Sequence, residues 1–130
     1  MEHHSFPDTT IPKGYGAYSH AVVAGDFVFL AGQTARDAVT GKVIPGDVAF
    51  QTRRALEIVA EILGELELTL ADIVRSTVYL ANVDDWDEMN RVYAEVMPAP
   101  YPARSTPEAK LPYGALVSIE VTAFRGGRGR

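Results

Sequence analysis

Residues 115–125, ALVSIEVTAFR, alternate without a break. Ala115, Val117, Ile119, Val121 and Ala123 fall on one side of an extended chain, and Leu116, Ser118, Glu120, Thr122 and Phe124 on the other. A period of two over eleven residues predicts a strand with one side in a core and a more mixed second side. Working outward, residues 73–81 (IVRSTVYLA) read as a second strand, with Val74, Val78 and Leu80 on its core face. Residues 27–31 (FVFLA) are apolar without alternation, the pattern of a strand covered on both faces. HAVVA (20–24) precedes it across Gly25-Asp26, so the two runs read as a β-hairpin. Residues 34–46 are rich in turn formers, with Thr40-Gly41 at the tip of a second, shorter hairpin.

Two helices separate these strands. Val48, Phe50, Leu56, Val59, Ile62, Leu63 and Leu66 recur at roughly helical spacing, which predicts a helix over 48–65 with Asp47 as its N-cap. Phe50 at the third helical position excludes a capping box. A second helix opens at Asp84-Asp85, and its stripe of Trp86, Met89, Tyr93 and Val96 reads as core. Pro98, Pro100 and Pro102 then enforce an extended connector. Residues 1–12 read as a loose N-terminal arm and 126–130 as a disordered tail of a single domain spanning 1–130. The order β-β-(β)-α-β-α-β is an α+β arrangement, a mixed sheet with two helices packed on one face. The second face of the sheet then needs a cover that this chain does not supply. A second copy is the economical answer, so the pattern predicts an obligate homo-oligomer; the alternative is a monomer with an exposed, adhesive sheet.

Composition narrows the chemistry. The chain has 130 residues, 47% hydrophobic and 22% charged, which is ordinary for one globular domain. Twelve Lys and Arg against 17 Asp and Glu leave a net charge of −5, the wrong sign for a nucleic-acid binder. There is no cysteine, hence no disulfide, thiolate metal site or thiol nucleophile. Three histidines, two of them in the first four residues, make a histidine metal centre improbable. The N-terminus has no apolar signal region, and no apolar run approaches the ~20 residues that span a bilayer. The expectation is a cytoplasmic protein that uses no cofactor, metal, nucleic acid or membrane.

The remaining candidates are few. Arg104 follows the stiff PAPYPA connector and carries a planar fork suited to a carboxylate. Glu120 sits mid-strand between core residues, so a covered Glu120 face would make its carboxylate a general base for water. The same positions suit a surface arginine and a solvated glutamate. Gly14–Ser19 (GYGAYS) lacks the strand and helix of a dinucleotide fingerprint and reads as a tight turn with an aromatic lid. Gly32 admits a close backbone approach or marks a bend, and Asn90 caps a polar network or faces solvent.

GAYSHAV (16–22), FVFLAGQTARD (27–37), TGKV (40–43), IVRSTVYLANVDDWDEMNRVYAEVM (73–97), PARS (102–105), Leu111-Pro112 and IEVTA (119–123) together resemble the RidA family, also called YjgF or reactive intermediate deaminases, over about residues 11–125. The resemblance implies a chorismate-mutase-like fold assembled as a homotrimer with clefts between subunits. It implies hydrolysis of 2-imino and 2-enamino acids such as 2-aminoacrylate to 2-keto acids and ammonia, without a cofactor. By that resemblance Arg104 grips the substrate carboxylate and Glu120 positions or activates water, while Tyr18, Gly32 and Asn90 match positions beside the ligand. Thr106 stands in the cleft where relatives often carry cysteine, and the stretch from Arg104 to Leu111 is about one residue short. A non-catalytic small-carboxylate sensor, a pathway-specific deaminase of the aminomuconate type and, against the charge, an endoribonuclease remain as alternatives.

Overall fold

The period-two stretch becomes the central strand of a six-stranded sheet. In the computed structural model, which describes residues 1–126, the strands are β1 (Glu2–His4), β2 (Ala21–Ala24), β3 (Phe27–Leu30), β4 (Ile73–Leu80), β5 (Ala103–Ser105) and β6 (Val117–Phe124), in the spatial order β1-β2-β3-β6-β4-β5. The helices are α1 (Val48–Glu65) and α2 (Trp86–Val96). β4 and β5 are parallel and every other pairing is antiparallel. Because β6 lies antiparallel between β3 and β4, those two run in the same direction. The connections β3–α1–β4 and β4–α2–β5 are therefore both crossovers between parallel strands, and both advance toward the same edge of the sheet. Right-handed crossovers advancing the same way put both helices on the same face.

That face is the core. Val117, Ile119, Val121 and Ala123 from β6, Val78 and Leu80 from β4, and Val28 and Leu30 from β3 are buried against Leu56, Val59, Ile62 and Leu63 of α1 and Met89 of α2. α1 occupies the expected span, and the Asp47 carboxylate caps it by accepting from Phe50 N at 2.8 Å. Gly25, at φ +61, starts the two-residue turn between Ala24 and Phe27, a conformation that costs glycine little. The loop at Thr40-Gly41 closes on a single bridge, Arg36 to Val43.

Five expectations change. FVFLA does alternate: Val28 and Leu30 are buried, whereas Phe27 and Phe29 stand 43% and 46% exposed, so this strand is covered on one face only within the chain. Val74 leaves the core face because a register shift between Ile73 and Arg75 turns it outward, and Ser76 occupies the core position instead. The N-terminal arm is not wholly loose, since Glu2–His4 pair with Ala21–Val23. Trp86 is not core; it is 36% exposed at the start of α2. Phe50 leaves the apolar stripe of α1 and stands exposed in its first turn, because two residues past Val48 is about 200° around the helix. The expected tail disorder falls on residues 127–130, outside those described. Among the described residues no helix is long and apolar enough to cross a membrane.

Candidate functional site

Register decides where each candidate side chain lies. Residues paired across neighbouring strands share a face of the sheet. Arg104 pairs with Ser76, and Ser76 is buried on the helix side, so the Arg104 side chain lies on the helix side of the edge strand. Glu120 pairs with Thr77, one residue along β4, and so lies on the opposite, open side. Within one chain the two candidate catalytic residues stand on opposite faces of the sheet.

On the helix side, the Arg104 guanidinium lies 4.6 Å from the centroid of the Tyr93 ring and 5.4 Å from that of Trp86. Trp86 and Tyr93 are seven residues apart on α2 and form one stripe, so both rings face the strand edge. Each ring is fixed in turn. The Tyr93 hydroxyl pairs with Ser76 Oγ at 2.7 Å, and Trp86 Nε1 donates to Thr106 Oγ1 at 2.8 Å. Burial pushes the Tyr93 phenol up, opposed by the Ser76 hydrogen bond and the Arg104 charge, so it stays a neutral platform. Among the described residues no carboxylate forms an ion pair with Arg104. Arg104 lines a groove of about 380 Å³ together with Asn90, Tyr93, Ala94, Tyr101 and Pro102. A cation held on two rings beside an open groove, with its charge unpaired, can bind a small organic anion.

On the open side, Glu120 is half-buried and accepts a hydrogen bond from the Tyr79 hydroxyl at 2.8 Å. That bond and the carboxylate charge raise the Tyr79 phenol above its ordinary value. Glu120 lines a hollow of about 290 Å³ with Phe29, Arg75, Thr77 and Thr122. Ser118, two residues before it on the same face, borders a separate cavity of about 350 Å³ that contains Tyr18 and Gly32. Gly32 permits a close approach: a Cβ there would stand 2.8 Å from Ser118 Oγ, so the serine hydroxyl would have to rotate away. Among the described residues no group of three or more His, Asp or Glu is placed to hold a metal ion.

The six residues singled out from the sequence thus fall into two sets. Arg104, Asn90 and Thr106 lie around the helix-side groove, and Tyr18, Gly32 and Glu120 along the open face. Sequence reading missed Tyr93, Trp86 and Tyr79. The first two were legible as a seven-residue aromatic pair, but assigning the stripe to the core hid them. Tyr79 depended on a cross-strand neighbour that no local pattern reveals.

Comparison with known proteins identifies the family. Residues 9–125 match the family described as Endoribonuclease L-PSP. A RutC family protein of Pyrococcus horikoshii is 42% identical over 88% of this chain and 91% of its own length. The 2-iminobutanoate/2-iminopropanoate deaminase of Bos taurus is 34% identical over 88% of this chain and 85% of its own. Among solved structures, TdcF of E. coli with bound serine superposes with a TM-score of 0.84 at 33% identity, covering 91% of this chain and 96% of that one. Sequence extent, residue identity and topology lead to one conclusion: the chain belongs to the RidA/YjgF/L-PSP family.

Proposed function

We propose that the protein hydrolyses 2-imino and 2-enamino acids of the 2-aminoacrylate type to 2-keto acids and ammonia, in a cleft shared by two copies of the chain within a homotrimer. The observation that carries this reading is Arg104: a guanidinium stacked on Tyr93 and Trp86, unpaired with any described carboxylate, at the wall of an open groove. It clasps the substrate carboxylate with two parallel hydrogen bonds. Asn90 and Thr106 line the same side. Since Glu120 of the same chain is on the other face, the carboxylate that meets the substrate comes from a neighbouring copy, which also contributes Tyr18 and Gly32.

The chemistry asks little of the protein. The enamine tautomerises to the imine, and water adds to the C=N carbon while its proton passes by way of Glu120 to the nitrogen. The resulting carbinolamine collapses to the keto group and expels ammonia. An imine is already electrophilic, so positioning of carboxylate and water supplies the rate enhancement. The 2-imino acid deaminases among the relatives support this substrate class, and the serine in the related E. coli structure shows that an α-amino carboxylate fits that relative.

The test generates 2-aminoacrylate with a serine dehydratase and follows pyruvate release. The wild-type protein accelerates release. Arg104→Ala loses that acceleration by about a hundredfold or more, in line with the loss of a charge-assisted carboxylate clamp that orients the reactant. No acceleration by the wild type, or full activity in Arg104→Ala, overturns the reading.

A further inference from the structure

The cavity beside Ser118 is built more elaborately than a site for a methyl group requires. Its volume is about 350 Å³, within the range of pockets that enclose a whole small ligand, and its walls include the rings of Tyr15, Tyr18 and Tyr113. Tyr15 is locked in place. The Arg36 guanidinium lies 4.4 Å from its ring centroid, its hydroxyl donates to Gly41 O, and its backbone N–H donates to the Tyr18 hydroxyl at 3.0 Å. Arg36 is only 3% exposed and gives its terminal N–H groups to the carbonyls of Pro12, Lys13 and Gly41. Its charge therefore fixes an aromatic wall rather than offering a fork to a ligand.

Tyr113 closes the rim. Its ring lies 4.9 Å from that of Tyr15, it is 71% exposed, and its backbone sits at φ 58, ψ 29. A bulky side chain rarely adopts the left-handed region, and an outlier of this kind at a cavity mouth points to a use for the ring there. The floor is kept open by Gly32, whose hypothetical Cβ would collide with Ser118 Oγ. Ser118, which borders the cavity, and Glu120 are alternate residues on one strand face, so their Cα atoms are about 7 Å apart along β6 and the cavity adjoins the carboxylate's side of the sheet.

We propose that this cavity is the side-chain subsite of the reaction and that it selects 2-imino acids bearing a bulky apolar or aromatic group. The inference rests on the hydrolytic reading above. A methyl or ethyl group would leave most of the space to water, each molecule taking about 30 Å³. A phenyl-sized group displaces that water and meets the three tyrosine rings edge-on or offset. Added apolar contact near the reacting centre appears as a higher kcat/KM for the larger substrate.

The experiment compares imines released from alanine and from phenylalanine by an L-amino-acid oxidase, with semicarbazide trapping as the competing reaction. The expected result is a higher kcat/KM for the phenylalanine-derived imine. Tyr113→Gly, which suits the backbone conformation and removes the rim, and Val43→Trp, which fills the cavity, each lower the phenylalanine-to-alanine ratio about tenfold. Hydrolysis of the alanine-derived imine alone, or a ratio unmoved by both variants, overturns the subsite while leaving the deaminase reading intact. Hydrolysis of neither imine by the wild type refutes the deaminase reading and the subsite with it.

Discussion

The two faces of one sheet have opposite fates. On the helix side every second residue of β6 is buried, with Ile119 at 0% exposure, and the neighbouring strands and both helices complete a closed core. On the other side the same strands show Phe27, Phe29 and Phe124, with rings 5.3 to 6.5 Å apart, to the surroundings. An aromatic cluster on a face without a helical layer is a contact surface awaiting a partner, and a second copy of the chain is the proposed one. The difference teaches how a small fold without histidine in its candidate site could still build one. It puts a cation on one face and a carboxylate on the other, and in the proposed assembly association brings them together.

The sharpest way to break that comparison is to separate the two residues onto different chains. Arg104→Ala and Glu120→Gln are each expected to be inactive, but equal amounts unfolded and refolded together recover about one quarter of wild-type activity by random assortment. A site contained in one chain would recover none. The pyruvate assay on the mixture reads the outcome directly.

Next in size is the contrast in packing. Ile119→Ala empties a fully buried position and is expected to cost about 2–5 kcal/mol in denaturant unfolding. Phe29→Ser, on the exposed side of the neighbouring strand, is expected to preserve the far-ultraviolet spectrum and lower the sedimenting mass instead. An unchanged mass would remove the open face from the proposed assembly.

The smallest effect separates two tyrosines by face. Tyr79 is raised above the ordinary 10 chiefly by its hydrogen bond to Glu120, and Tyr93 chiefly by burial. Glu120→Gln therefore returns Tyr79 toward 10 and leaves Tyr93 where it was, as a phenolate absorbance titration would show. The sign follows from linkage. A raised phenol favours the neutral form in the fold, so the Tyr79 contribution to stability is complete below pH 10 and fades as pH climbs through the higher folded value. An unmoved Tyr79 titration in Glu120→Gln would refute the contact.

Much of this molecule is legible in its sequence. The α1 boundaries, the Asp47 cap and both faces of 117–123 followed from period and propensity, which act over a few residues. The errors arose where distant chain intervenes. FVFLA reads as a strand buried on both sides because apolar content does not say what lies above it. Val74 reads as core because a bulge shifts parity without a composition signal. Trp86 reads as core because a helical stripe looks the same whether it packs on valine or carries an arginine.

The sequence by itself determined both helices, four of the six strands and their order, the chemistry available at Arg104 and Glu120, and the family, because side-chain periodicity and residue type are properties of short segments; β1 and β5, three residues each, are too short to carry a readable period. Only the tertiary structure decided that these two groups lie back to back. The face a strand residue occupies depends on strand order and register, which are set by crossovers and bulges tens of residues away.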